Sequence, residues 1–241
     1  MSRQVELSKR MQAVADMVTF GNRVCDVGCD HGYVSIYLVQ AGISPRVLAM
    51  DVNKGPLMRA AEHIKQYGTE NYIELRLSDG LGAYRKGEAE SLLCAGMGGR
   101  LLMRILEHEA DKTESFEELI LQPQSDLKLF RRFLREKGYS ILSEDMIIED
   151  GKFYPMMKVY PKASEKVEPE DEDTEIKDLL GPCLLQNQNP VLLAYIQQEI
   201  QVKEGILEGL KKQEQKEKLL LRKQEIEKEL LLLKRAVQKW Y

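Results

Sequence analysis

Two hydrophobic rhythms alternate along the first 160 residues. Short apolar runs of strand length occupy residues 23–27, 45–53, 72–77, 91–95 and 118–121. Between them, over 33–40, 57–67, 100–109 and 126–137, apolar side chains return every three or four positions, the spacing of a helix with one buried face. A leading helix over 5–19 carries Leu7, Met11, Val14, Ala15 and Val18 on its apolar face and Lys9 and Arg10 on its solvated one. Residues 139–147 and 153–160 flank Glu149-Asp150-Gly151-Lys152, a hairpin turn. Five strands separated by helices, followed by one antiparallel hairpin, predict an α/β domain around a mostly parallel sheet of seven strands. The run Ser91-Leu92-Leu93-Cys94-Ala95 is apolar throughout, as a strand covered on both faces must be. Ser125 is placed to cap the helix over 126–137, whose Lys128, Arg131, Arg132, Arg135 and Lys137 suit either solvent or phosphate.

The pattern then changes. Residues 161–175, with Pro161, Pro169 and the run Glu170-Asp171-Glu172-Asp173, offer almost nothing to bury and read as an acidic linker between a domain over 1–160 and another over 176–241. Thr174 can cap a short helix that ends at Gly181-Pro182, and Asn189-Pro190 opens the next. Leu193, Ile196, Ile200, Lys203, Leu207 and Leu210 form one coiled-coil seam, and Leu219, Lys223, Ile226, Leu230, Leu233, Val237 and Trp240 a second. Folding the chain back near 211–217 pairs Leu207 with Leu219 and Leu193 with Leu233, so an antiparallel helical hairpin is expected, with Lys203 facing Lys223. From residue 179 onward there are eleven Lys or Arg against eight Asp or Glu, a mildly basic arm suited to nucleic acid or to packing.

Composition narrows the class. A formal net charge of −4 gives no general attraction to nucleic acid, so such a partner needs local patches. Nothing reaches membrane-spanning length and the first residues lack a signal peptide's apolar core, which points to the cytoplasm. Cys25, Cys29, Cys94 and Cys183 lack zinc-ligand spacing, and the first three fall in or beside apolar runs, so reduced core thiols are expected and no metal.

The chemistry gathers at strand ends. Asp26-Val27-Gly28-Cys29-Asp30-His31-Gly32 links the first strand to a helix, its glycines allowing a tight turn and close approach of a ligand. A dinucleotide site would carry glycine where Asp26 stands, and a carboxylate there suits a cationic ligand such as an amino-acid ammonium. Asp51, with Val52 and Asn53, ends the second strand 25 positions after Asp26, where an acid can accept both ribose hydroxyls. Asp79-Gly80 ends the third strand and can accept from an adenine amine. Gly96-Met97-Gly98-Gly99 ends the fourth, clearing side chains from the place where open α/β sheets bind ligands. Together these positions stand in the order needed to hold S-adenosylmethionine, whose sulfonium carries an activated methyl group. An adenine N1 acceptor needs no prior deprotonation, and Asp30, Gln122 and carbonyls around Gly96 to Gly99 could stabilise the charge it acquires. The Asp/Asn-Pro-Pro-Tyr/Phe loop common in exocyclic-amine methylases is missing from the fourth strand's end, against an N6-type acceptor.

On Leu7-Ser8-Lys9-Arg10, Asp26-Val27-Gly28-Cys29-Asp30-His31-Gly32-Tyr33, Gly96-Met97-Gly98-Gly99, Leu121-Gln122-Pro123 and Leu180-Gly181-Pro182-x-Leu184-Leu185, the chain resembles the bacterial tRNA (adenine-22-N1)-methyltransferases over nearly its whole length. Gly32 and Gln124 depart from that family's frequent Ala and Asn. The resemblance implies a class I, Rossmann-like methyltransferase domain with a C-terminal helical coiled-coil domain. It also implies S-adenosylmethionine as cofactor and tRNA as substrate. On this reading Asp30, His31 and Gln122 serve the reaction, and Asp26, Gly28, Gly32, Asp51, Val52, Asn53, Asp79, Gly80, Gly96, Met97 and Gly98 hold the donor. A monomer is expected. His63 and His108 read as surface residues. The competing readings are methylation of another RNA, a protein or a small molecule, and a non-catalytic module that engages tRNA through the hairpin.

Overall fold

The computed structural model describes residues 4–162, 171–210 and 217–241, which fall into two compact units, Met1–Val167 and Glu168–Tyr241. The first unit holds a seven-stranded sheet in the order β3-β2-β1-β4-β5-β7-β6. Its strands are β1 (Val24–Val27), β2 (Val47–Asp51), β3 (Ile73–Leu77), β4 (Ser91–Met97), β5 (Glu118–Pro123), β6 (Ser140–Glu149) and β7 (Lys152–Tyr160). The first five run parallel, and β7 is antiparallel to both of its neighbours. At the β6–β7 turn Asp150 and Gly151 both take positive φ, 50° and 72°, the backbone that a two-residue hairpin requires.

Strand alternation sends side chains to two cores. Cys25, Leu48, Met50, Leu92, Cys94, Leu119 and Leu121 pack with α4 (Gly99–His108), α6 (Leu127–Glu136), Tyr84 and Phe116. Val24, Val47, Ala49, Leu93 and Ile120 face the other way, onto α1 (Lys9–Asp16), α2 (Tyr33–Gln40) and α3 (Lys54–Gln66). Helices therefore cover both faces of the parallel strands, which explains why those strands read as unbroken apolar runs. Cys25, Cys29 and Cys94 are buried, and burial pushes their thiols upward in pKa, consistent with inert core residues. A four-residue helix, α5 (Ala110–Thr113), carries too little periodicity to be read from sequence.

Several local expectations change. The leading helix spans only Lys9–Asp16, because Ser8 caps it by accepting the Met11 N–H. Ser125 does not cap the helix that follows it. The residue before that helix is Asp126, at φ 54°, and the Ser125 hydroxyl instead accepts the N–H of Gly99 at the start of α4 (3.3 Å). Of the basic residues over 126–137, Arg131 leaves the solvated face, while Arg132 and Lys137 stay about half exposed in surface pairs. Arg131 is buried against Glu144 on β6 at 2.8 Å, Arg132 pairs with Glu136 at 2.7 Å, and Lys137 pairs with Glu107 at 2.6 Å.

Residues 163–170 of the expected linker lie outside the described residues. From Glu172 the chain is helical: α7 (Glu172–Leu180) is capped by the Asp171 side chain, which accepts the Thr174 N–H (2.8 Å), so Thr174 is inside the helix. The acidic run is not simply solvated, since Glu172, Asp173 and Glu175 pair with Arg235, Lys239 and Lys228. After α8 (Pro182–Gln186), α9 (Pro190–Leu210) and α10 (Glu217–Trp240) pack together, and the expected tip between them lies outside the described residues. Lys203 meets Glu199 and Glu229 at 3.0 Å each, while Lys223 pairs with Glu227, so the two lysines do not face each other. Lys203 with Glu229, Lys234 with Glu204, and Gln188 with the Trp240 carbonyl fix an antiparallel register. No helix among the described residues is long and apolar enough to cross a membrane.

Arg131 and Glu144 are 1% and 0% exposed in their side chains, so removing one charge strands the other in the core. Glu144→Ala is expected to lower the unfolding free energy by about 3–5 kcal/mol, read from the urea midpoint. A loss below about 1 kcal/mol would show that the pair does not hold β6 on α6.

Candidate active site

The strand order reverses between β1 and β4, whose following helices leave toward opposite faces, and a crevice opens at their carboxyl ends. A cleft of about 640 Å³ occupies this place, within the range for small-molecule sites. Its lining includes Asp26, Gly28, Asp30, Asp51, Val52, Asn53, Asp79, Gly80, Gly96 and Met97, so most of the residues singled out from sequence meet in one cavity.

The turn after β1 fixes its floor. The N–H groups of Gly28 and Cys29 both donate to the Met50 carbonyl (2.8 and 3.0 Å), tying the turn to β2. Gly28 has φ 76°, a left-handed backbone that favours glycine, and a Cβ there would stand 2.2 Å from the tip of the Met97 side chain, which would have to move aside. Gly96 has φ 79° and lies where the β4–β5 register shifts. Its N–H leaves the ladder to donate to Gln122 Oε1 at 3.0 Å, a bulge that bares the backbone to the cleft.

The carboxylates sit in contrasting surroundings. Asp51 Oδ1 accepts the Asn53 N–H at 2.8 Å and Oδ2 the Asp30 N–H at 3.4 Å, which orients the group and leaves each oxygen further acceptor capacity. Asp26 is buried on β1, accepts the Ser35 hydroxyl at 2.6 Å, and titrates at about 6. Burial raises it most, the Ser35 bond opposes that, and the nearby Asp51 charge adds to the rise. Asp79 is exposed at the rim beyond β3. Asp30 takes φ 47° and reaches the His31 Nε2 at 3.6 Å.

Not every candidate reaches the cleft. His31, Gly32, Gly98 and Gln122 are absent from its lining. His31 belongs to a ring cluster with Tyr33 and His63, whose centroids lie 6.0 and 5.7 Å from it, and His63 is stacked on Tyr33 at 4.6 Å. His63 is therefore not a plain surface residue: its Nδ1 donates to the His31 carbonyl at 2.9 Å. Gly32 packs on Ala60, and Gly98 against the Ser125 hydroxyl. Gln122 is fully buried behind Gly96.

Residues assigned no site role from sequence also border the cleft. Arg10, expected on a wet face, lines the cleft, as do Ser78, Leu101, Arg104 and Gln124. The Arg10 guanidinium lies over the Tyr154 ring, 5.2 Å from its centroid, and Nη1 donates to Gln122 Oε1 at 3.2 Å. Its place in Leu7-Ser8-Lys9-Arg10 was the one available signal, since helical periodicity cannot show what an arginine reaches across to.

A Rossmann-like sheet with strand-end aspartates converging on a glycine turn defines a class I methyltransferase. The family described as "Methyltransferase domain" matches residues 7–157. A tRNA (adenine(22)-N(1))-methyltransferase of Bacillus subtilis is 33% identical over 207 residues, 86% of this chain and 87% of that one. The crystal structure of the B. subtilis m1A22 tRNA methyltransferase TrmK is similar with a TM-score of 0.84 at 30% identity, covering 97% of this chain and 99% of that one. Sp1610 of Streptococcus pneumoniae, solved in complex with S-adenosyl-L-methionine, gives a TM-score of 0.82 at 31% identity, over 96% and 99% of the two chains. The chain belongs to the tRNA (adenine-22-N1)-methyltransferase family.

The Asp26 environment makes a signed prediction. Because its carboxyl titrates near 6 when folded and near 3.8 otherwise, the folded state holds the extra proton between these values, and stability falls as pH rises through that window. The difference is worth up to about 3 kcal/mol. Asp26→Asn is expected to remove this slope from the urea midpoint measured between pH 4 and 7. An unchanged slope would show that Asp26 is solvated.

Proposed function

We infer that this chain transfers a methyl group from S-adenosylmethionine to N1 of adenine 22 in tRNA. The observation that carries the reading is the convergence of Asp26, Asp51 and Asp79, from three strand ends, on one glycine-floored cleft. The donor set suits this cofactor: a buried carboxylate for the ammonium, a backbone-oriented carboxylate for the ribose hydroxyls, and a rim carboxylate beside Gly80 for the adenine amine. Val52, exposed at the cleft edge, offers the adenine an apolar face, and Asn53 follows it. Gly28, Gly96 and Met97 shape the floor, with Gly32 and Gly98 setting the helix starts around it.

When bound, the donor supplies a methyl group already activated by its sulfonium. The protein's part is to present the acceptor in line and keep water out. N1 lies on the pairing edge of adenine, so the base must leave its pair to enter the cleft. Its lone pair is free at neutral pH, so no side chain need take a proton beforehand. The positive charge that develops on the ring is stabilised by Asp30 at the cleft wall, with the His31 ring 3.6 Å from that carboxylate. Gln122 acts through the Gly96 backbone and does not touch the base. A tRNA substrate supports a cytoplasmic reaction, and the chain is taken to act as a monomer.

Incubating the chain with unmodified tRNA and donor is expected to yield 1-methyladenosine at position 22, read by nucleoside mass spectrometry and mapping. Its absence from every tRNA tried would overturn the reading. Asp51→Ala should weaken donor binding about tenfold or more by calorimetry, through loss of two charge-assisted bonds. Asp30→Asn should instead lower kcat about 10- to 100-fold with donor affinity nearly kept. Equal losses of both quantities in the Asp30 variant would show that it only builds the pocket.

A further inference from the structure

With the donor seated against Asp26, Asp51 and Asp79, the cleft has one side left for a second reactant. That side is built by the ends of β4 and β5 and the first turns of α4, and it presents Gly96, Met97, Leu101, Arg104 and Gln124. Gly96 keeps it clear of a side chain, and the exposed Leu101 gives it an apolar face. Gln124 follows β5 with its backbone tied down. Its N–H donates to the Met97 carbonyl at 2.8 Å, and beside it the Ser125 hydroxyl accepts the Gly99 N–H at 3.3 Å. The Gln124 side chain is left free. It is exposed, it has no hydrogen-bond partner among the described residues, and its Nε2 lies 3.6 Å from where a Cβ on Gly96 would stand. Arg10 and Arg104, the other polar side chains that reach this side, can only donate, whereas a carboxamide sets an acceptor next to a donor.

We propose that Gln124 selects the acceptor base as adenine, its carboxamide bonding N6 and N7 while N1 faces the methyl group. The inference rests on the transfer to adenine N1 given above and names the residue that chooses the base. Attack by N1 gives the pairing edge to the sulfonium, so a side chain that identifies the base without blocking the reaction must use the other edge. There adenine shows an N6 hydrogen beside the N7 lone pair, and a glutamine amide matches the two with Oε1 and Nε2. Guanine shows O6 and N7 at the same place, two acceptors, so either orientation of the amide leaves its oxygen facing a lone pair. Pyrimidines have no N7 to accept from Nε2. With the backbone of Gln124 fixed at the β4 and β5 ends, the amide is presented where the base must enter.

The test pairs variants of the full chain with one altered atom in the base. Gln124→Ala should lower kcat/KM on unmodified tRNA about 10- to 100-fold, with S-adenosylhomocysteine affinity by calorimetry unchanged within about twofold. In a tRNA carrying 7-deazaadenosine at position 22, C–H replaces N7, and the lead of the wild-type chain over Gln124→Ala should shrink about fivefold or more. The change in ring reactivity is common to both chains and cancels in that comparison. Gln124→Glu sets a carboxylate oxygen against the N7 lone pair, so relative to Gln124→Ala it should gain from the same replacement. A wild-type lead that survives the replacement intact would overturn the proposal, because a residue that only shapes the cleft does not respond to N7. So would a fall in S-adenosylhomocysteine affinity that matches the loss in kcat/KM, which would make Gln124 a wall of the donor half. Absence of 1-methyladenosine from unmodified tRNA treated with the wild-type chain is a distinct result, and it would overturn the transfer reading and the proposal together.

Discussion

The site depends on one topological constraint: β1 lies between β2 and β4, and its neighbours' helices depart to opposite faces of the sheet. No connection crosses the carboxyl ends of these strands, so a crevice is left there by geometry before any functional residue is chosen. The parallel register then decides which residues border it. Val27 lies beside Met50 in the β1–β2 pairing, so Asp51 and the Gly28 turn emerge together. Two backbone N–H groups donated to the Met50 carbonyl hold that relation. Asp79 joins from β3 because the Ser78 N–H reaches the Asp51 carbonyl at 2.9 Å.

Two buried polar groups of this sheet, Asp26 and Gln122, owe their places to particular partners. Asp26 and Gln122 lie on the face covered by α1, α2 and α3, in places where their strand neighbours are apolar. Ser35 satisfies the first, and Arg10 with Gly96 satisfies the second. Unmet, either group would cost on the order of 1–3 kcal/mol. The same bonds that remove this cost shape the cleft, since the Gln122 amide draws Gly96 out of the ladder and the Ser35 hydroxyl holds the Asp26 carboxylate. Stability and ligand geometry are therefore coupled at these two positions. The second unit is knit differently, with the acids of α7 engaging cations of α10, so a basic count along that arm overstates the charge it presents to a partner.

Most of the sheet was legible because buried parallel strands and amphipathic helices leave unlike periodicities. Tyr33–Gln40 was readable to the residue, because Gly32 precedes it and Gly42 follows soon after. The strand-end aspartates were legible for a related reason, since a carboxylate closing an apolar run has few structural uses. What failed was inference about long-range partners. Ser125 looked like a cap for its own helix and serves α4. Arg131 looked solvated and is buried on Glu144, while Lys203 finds glutamates instead of Lys223. Arg10 and His63 were misplaced similarly, since their roles are set by Gln122, Tyr154 and Tyr33, residues remote in sequence. Local pattern fixes which face a residue occupies, and only the assembled fold determines what waits there.

The most direct test is a crystal structure of the chain soaked with S-adenosylhomocysteine. The account requires electron density for the nucleoside in the cleft above Gly28, with ribose hydroxyls on the Asp51 carboxylate and adenine at the Asp79–Gly80 edge. Density for the nucleoside elsewhere, with this cleft filled only by solvent, would contradict it.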